Sequence, residues 1–204
     1  MRRRILVLFA VLMGMFFSGC QSSETDTANV DNSNDSQTGW EVDEGLLLTE
    51  ITFPASLFEG MTEEEIKEVA KENGYLSCDI AEDGSVTNVM TKSKQKELAD
   101  GLKDSMETMV EELINGKDKI ESFQKIEYDE NMTEFNVYVD REKYSGWDSI
   151  AYMGFYYIGG IYQIFVGIPS EETNVVVNTI DFQTNEIIES NSSKKFSEEN
   201  SDAA

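Results

Sequence analysis

Tyr75-Leu76-Ser77-Cys78-Asp79-Ile80-Ala81-Glu82-Asp83-Gly84-Ser85-Val86-Thr87-Asn88-Val89-Met90 reads as two short strands folded back on a turn. Leu76, Cys78 and Ile80 alternate with Ser77 and Asp79, the period of two that gives a strand one apolar and one wet face. Between the strands, Glu82-Asp83-Gly84 is a turn signal, because glycine accepts the positive φ that a tight hairpin demands. Residues 76–80 and 85–90 are therefore expected to pair antiparallel. The same pattern recurs twice downstream. Residues 120–128 and 133–139 flank Asp129-Glu130-Asn131, with Phe135, Val137 and Val139 on one face, and residues 174–182 and 186–190 flank Gln183-Thr184-Asn185.

Helical periodicity fills the gaps between these hairpins. A first strand at residues 46–53 stops at Pro54, and a helix follows. Thr62 is placed to cap it, Glu65 completes a capping box, Ile66, Val69 and Ala70 form the buried stripe, and Gly74 stands where a left-handed C-terminal residue is wanted. Thr91 or Ser93 begins a second helix whose Leu98, Leu102, Met106, Met109, Val110, Leu113 and Ile114 recur at three and four, up to Asn115-Gly116. A third is expected from Trp147 to about Val166. The order β, α, ββ, α, ββ, α, ββ puts helices between hairpins and predicts an α+β domain at residues 44–191, a mostly antiparallel sheet with about three helices packed on it.

The other informative stretch is the start of the chain. Met1-Arg2-Arg3-Arg4 precedes thirteen uncharged residues, 5–17, the n-region and h-region of a secretory signal. Thirteen residues at ~1.5 Å each span only ~20 Å, short of the ~30 Å hydrocarbon core. Phe17-Ser18-Gly19-Cys20 then resembles the lipobox of bacterial prolipoproteins, with Phe17 where leucine is usual. That resemblance implies cleavage after Gly19, removal of residues 1–19, and acylation of Cys20 with diacylglycerol. It also implies a lipid-anchored protein on the extracytoplasmic face of the cell membrane. Two or three acyl chains hold a protein durably at about 0.8 kcal/mol per buried methylene. Residues 20–43 are polar, with little to offset ordering entropy, and are expected to act as a flexible linker reaching ~25 Å. Residues 192–204 read as a disordered tail.

Composition bounds the function from the other side. The formal charge is -24, becoming -27 when the three arginines leave with the signal. Without a basic patch or stripe in the mature chain, nucleic acid is not an expected partner. The chain has no histidine and two cysteines. With Cys20 committed to lipid, Cys78 is left alone and reads as a small buried core residue, since no imidazole is present to make it a thiolate. A histidine-dependent triad and a zinc site are excluded on the same count, and no glycine-rich phosphate loop points to a cofactor, so neither a metal nor a cofactor is expected.

Two features invite functional readings. Residues 150–168 carry no charge over nineteen positions, long enough for a membrane span, but five polar-tipped side chains (Tyr152, Tyr156, Tyr157, Tyr162 and Gln163) and Gly154, Gly159 and Gly160 favour a buried central helix. Alternatively Tyr152, Tyr156 and Tyr157 form an aromatic surface that grips a sugar or a partner protein. Glu63-Glu64-Glu65, Glu111-Glu112, Asp129-Glu130 and Glu171-Glu172 offer carboxylates for a small envelope hydrolase, although runs at helix starts answer to the helix dipole. No catalytic residue is assigned. The primary expectation is a non-enzymatic module binding another envelope protein or an extracellular ligand, with the hydrolase as alternative. Ile51-Thr52-Phe53-Pro54-Ala55-Ser56-Leu57-Phe58, the helix start Thr62-Glu63-Glu64-Glu65 and Tyr162-Gln163-Ile164-Phe165 resemble uncharacterised small lipoproteins of Firmicutes, a likeness that bears on fold and location alone.

Overall fold

The computed structural model describes residues 47–117 and 119–196. The signal peptide (1–19), Cys20, the linker (20–43) and residues 197–204 of the expected tail lie outside the described residues. The described elements follow the expected order: β1 (Leu48–Phe53), α1 (Glu63–Glu72), β2 (Ser77–Ile80), β3 (Val86–Thr91), α2 (Lys92–Asn115), β4 (Phe123–Tyr128), β5 (Glu134–Val139), α3 (Tyr152–Phe165), β6 (Val176–Asp181) and β7 (Ile187–Ser192). Single 3-10 turns occupy Ala55–Phe58 and Asp148–Ala151. The fold is α+β.

Local chemistry sets most boundaries. Thr62 Oγ1 accepts the Glu65 N–H at 3.3 Å while Glu65 Oε2 accepts the Thr62 N–H at 2.8 Å, a closed capping box. At the other end of α1, Gly74 at φ 75° donates to the Lys71 carbonyl and Tyr75 to that of Ala70, the paired bonds that finish a helix in a left-handed residue. Thr91, not Ser93, caps α2 by accepting the Lys94 N–H at 3.1 Å. Gly84 turns the first hairpin at φ 81°. The Asp129 carboxylate gathers the N–H groups of Asn131, Thr133 and Glu134 at 3.2, 2.7 and 2.6 Å, and it sets the second hairpin by satisfying donors that the turn leaves unpaired. Pairing runs past residue 191: β7 ends at Ser192, and Ser193 still donates its N–H to the Val175 carbonyl.

The strands form two sheets where one was expected. The first has the order β1-β3-β2 and is antiparallel throughout. The second, β4-β5-β6-β7, is antiparallel at both flanks but parallel between β5 and β6, with Phe135 opposite Val177 and Val137 opposite Thr179. The parallel pair exists because α3 carries the chain back across the sheet between those strands, as a crossover must. Alternation along β2 is weaker than its sequence suggests. Leu76 lies outside the strand and is 61% exposed, and Cys78 is half-buried rather than a core residue.

Helix α3 joins both sheets. Phe123, Tyr152, Phe155, Phe135 and Tyr128 stack in sequence with centroid separations of 6.2, 6.0, 4.8 and 5.2 Å, tying α3 to β4 and β5. At its far end Phe165 meets Phe53 of β1 at 5.6 Å. Gly159 permits the close approach, since a Cβ there would lie 3.0 Å from Val175 Cγ2 and 3.1 Å from the Met132 carbonyl oxygen. Residues 150–168 thus hold the buried central helix, and among the described residues no helix is long and apolar enough to cross a membrane. Trp147, the expected helix start, instead precedes the 3-10 turn and is 81% exposed.

Within this apolar helix Gln163 is 1% exposed, yet its amide is fully engaged. Nε2 donates to the carbonyls of Met132 and Asn174, each at 3.0 Å, and Oε1 accepts the Asn174 N–H at 3.0 Å. Replacing it leaves one backbone donor and two acceptors without partners, at about 1–3 kcal/mol for each buried group. Gln163→Leu is expected to lower unfolding stability by about 3 kcal/mol or more, seen as a lower urea midpoint at unchanged m-value. A midpoint within error of the parent would refute the clamp.

Candidate functional site

The three tyrosines of the aromatic-surface reading do not share one surface. Tyr152 is a core residue at 2% exposure. Its hydroxyl lies 2.8 Å from Thr179 Oγ1, Thr179 donates to Glu189 Oε1 at 3.3 Å, and Tyr144 donates to the same oxygen at 2.5 Å. Burial, and secondarily the Glu189 bond, pushes the Tyr144 hydroxyl above the usual tyrosine range. This network fastens β7 and the loop before α3 to β6, with each donor matched. Tyr156 and Tyr157 are half-buried, and burial raises the Tyr156 pKa to about 12. The Tyr156 ring lies 6.2 Å from that of Phe196.

The carboxylate clusters are exposed and occupied with local structure. Glu63 meets Lys67 at 3.4 Å, Glu65 closes the capping box, and Glu111 accepts from Asn115. Asp129 serves its turn: burial would raise its pKa, but the bonds from Glu134, Thr133 and Asn131 together hold it below the usual range. Among the described residues, no three Cys, Asp or Glu side chains gather as a metal site.

An open groove of about 300 Å³ lies where the start of α2 meets the end of α3. Its floor is apolar, made by Ala99, Phe165 and the largely buried ring of Tyr162, with Val166 at the edge. Its α2 rim carries Lys92 and Lys96, one helical turn apart, followed by Asp100 another turn on. Gln95, between the lysines, donates to the Phe165 carbonyl at 2.5 Å and satisfies an acceptor that the end of α3 leaves open. Behind the floor, Lys103 Nζ sits 5.4 Å over the Tyr162 ring, and its hydrogen bond with Tyr162 raises the lysine pKa.

Several described cations lean on acids, as Lys94 does on Glu97 at 2.9 Å, Lys125 on Glu127 at 2.6 Å and Lys143 on Asp140 at 3.4 Å, whereas others, Lys71 and Lys103 among them, make no such pair among the described residues. Among the described residues, Lys92 and Lys96 have no acidic side chain within 4.0 Å. Like charges at i and i+4 repel by about 0.2–0.5 kcal/mol, and the first turn of a helix is where acids, not lysines, are favoured. The negative C-terminal end of α3 offsets part of this. Sequence reading found no basic patch, yet Lys92-Ser93-Lys94-Gln95-Lys96 is one, and its position after the Thr91 cap was the available signal.

No family model, curated protein or solved structure matches this chain.

Cys78 sits on the inner face of its sheet, opposite Asn88 in register. Burial, then the charge of Asp79, raises its thiol pKa, so the thiolate is scarce at neutral pH. Alkylation of Cys78 by iodoacetamide at pH 7 is accordingly expected to be several-fold slower in the native chain than in urea-unfolded chain, with the native rate climbing above pH 9. A native rate equal to or above the unfolded one would mark an activated thiol.

Proposed function

We propose that this chain is an extracytoplasmic lipoprotein, anchored to the cell membrane by acylated Cys20, whose α+β domain is a non-enzymatic binding module. The carrying observation is the run from Arg2 to Cys20: three arginines, thirteen uncharged residues and Phe17-Ser18-Gly19-Cys20. That order supplies what export and lipid transfer require, a charged start, an apolar core too short to remain as a span, and small residues before an acceptor thiol.

Binding, rather than turnover, is supported by how the domain uses its polar groups. Glu63, Glu65, Glu111 and Asp129 of its carboxylate clusters serve a cap, a turn, an ion pair and a side-chain bond, whereas Lys92 and Lys96 have no acid within 4.0 Å among the described residues and stand beside an apolar floor. The hydrolase alternative requires two carboxyls facing across a cleft ~5–10 Å wide, one of them with a raised pKa. The groove offers one carboxylate, Asp100.

Anchoring is tested by expressing the full chain in a bacterium fed an alkyne-tagged palmitate. The parent is expected to take up label and fractionate with membranes, and Cys20→Ala to lose all label and accumulate unprocessed or released. Labelled Cys20→Ala protein, or an unlabelled parent that is nonetheless cleaved, would overturn the proposal.

A further inference from the structure

From the groove between α2 and α3 we infer that the domain binds a small organic anion, a phosphate or carboxylate head on an apolar body. This deepens the binding-module reading and rests on it. Lys92 and Lys96 supply two ammonium groups on one rim, and Ala99, Tyr162 and Phe165 supply the dry floor below them. The volume, about 300 Å³, is at the lower end of small-molecule pockets.

The rest of the molecule argues for a ligand of this sign. Among the described residues Lys92 and Lys96 have no acid within 4.0 Å, and two like charges one helical turn apart repel each other until an anion lies between them. Long lysine stems lie along apolar surface while their heads stay wet, which suits an amphiphilic guest. Repulsion from the surrounding carboxylates is screened beyond ~8 Å at physiological salt, so the nearby ammonium groups decide the local field. Asp100, at the far end of the groove, places the head at the Lys92–Lys96 end.

Two sources carry this chemistry, a lipid headgroup and a soluble metabolite. The bilayer arm of the test separates them.

The test uses isotope-labelled full-length chain in neutral detergent, titrated with hexyl phosphate and, separately, with hexanol, while backbone amide shifts are followed. Expected are saturable shifts confined to residues 92–100 and 162–166 with hexyl phosphate, at least tenfold weaker binding of hexanol, and roughly tenfold weaker hexyl phosphate binding by K92Q/K96Q. K94Q, whose lysine pairs with Glu97 outside the groove, is expected to match the parent. The same amides are then compared in bilayer discs of phosphatidylglycerol and of phosphatidylcholine. Shifts specific to phosphatidylglycerol assign the headgroup, and shifts with hexyl phosphate alone assign a soluble ligand. Equal binding of hexanol, or no loss in K92Q/K96Q, would overturn the anion while leaving a binding groove. No saturable shift with any probe would overturn the inference and the groove together.

Discussion

The amide of Gln163 is the point on which the two sheets depend. A carboxamide taken out of water costs several kcal/mol unless both its ends are bonded, so an apolar helix that carries one can settle only where partners wait. For α3 those partners are the Met132 carbonyl, at the turn that ends just before β5, and the Asn174 backbone, just before β6. Both lie at the same end of the parallel pair. The amide therefore fixes the rotation of α3, its height along the sheet and the register of β5 against β6 in one contact. Gly159, a turn earlier on the same helix, removes the Cβ that would hold it away from Val175 and Met132.

With α3 so placed, its two ends have different duties. The N-terminal half stacks Tyr152 and Phe155 into the ring column over β4 and β5, and the C-terminal half sets Phe165 against Phe53 of the smaller sheet. Helix α2 lies alongside and shares the same core through Leu102 and Met106. The groove is a by-product of this packing. Phe165 is turned toward β1, Gln95 closes its carbonyl, and the space between the first turns of α2 and the last turn of α3 stays open because lysines, not apolar side chains, stand at its rim.

What the sequence disclosed divides along range. Thr62 with Glu65, Thr91, Gly74, Gly84 and the Asp129 turn each act over a few residues, and each is where local chemistry puts it. The alternation of Phe135, Val137 and Val139 named a buried face correctly, and all three are fully buried. It did not name the neighbour on the far side. Parallel and antiparallel partners ask the same of a strand's side chains, and the difference lies in where a helix returns the chain. Hence the β5–β6 pairing and the division into two sheets were not legible, although the order of elements was. Cys78 and Leu76 went astray for a related reason. A four-residue strand at a sheet edge alternates as a core strand does, but little covers it.

The groove was illegible in a further sense, because its two walls are some seventy residues apart. The sequence places Lys92, Lys96 and Asp100 on one face of a helix, and Tyr162 with Phe165 on one face of another, but helical faces do not say which faces meet. Once they meet, the charges change meaning. On an isolated helix, lysines in the first turn are a small electrostatic fault. Beside the carbonyl end of α3 and over an apolar floor, they are two donors held near one another without acids, in a chain where acids outnumber bases 40 to 16. A surface so acidic has many carboxylates with which to neutralise a stray lysine, as it does at Lys94 and Lys125. Lys92 and Lys96, with no acid within 4.0 Å among the described residues, instead leave their charge at the rim of the groove, where a ligand of opposite sign would complement it.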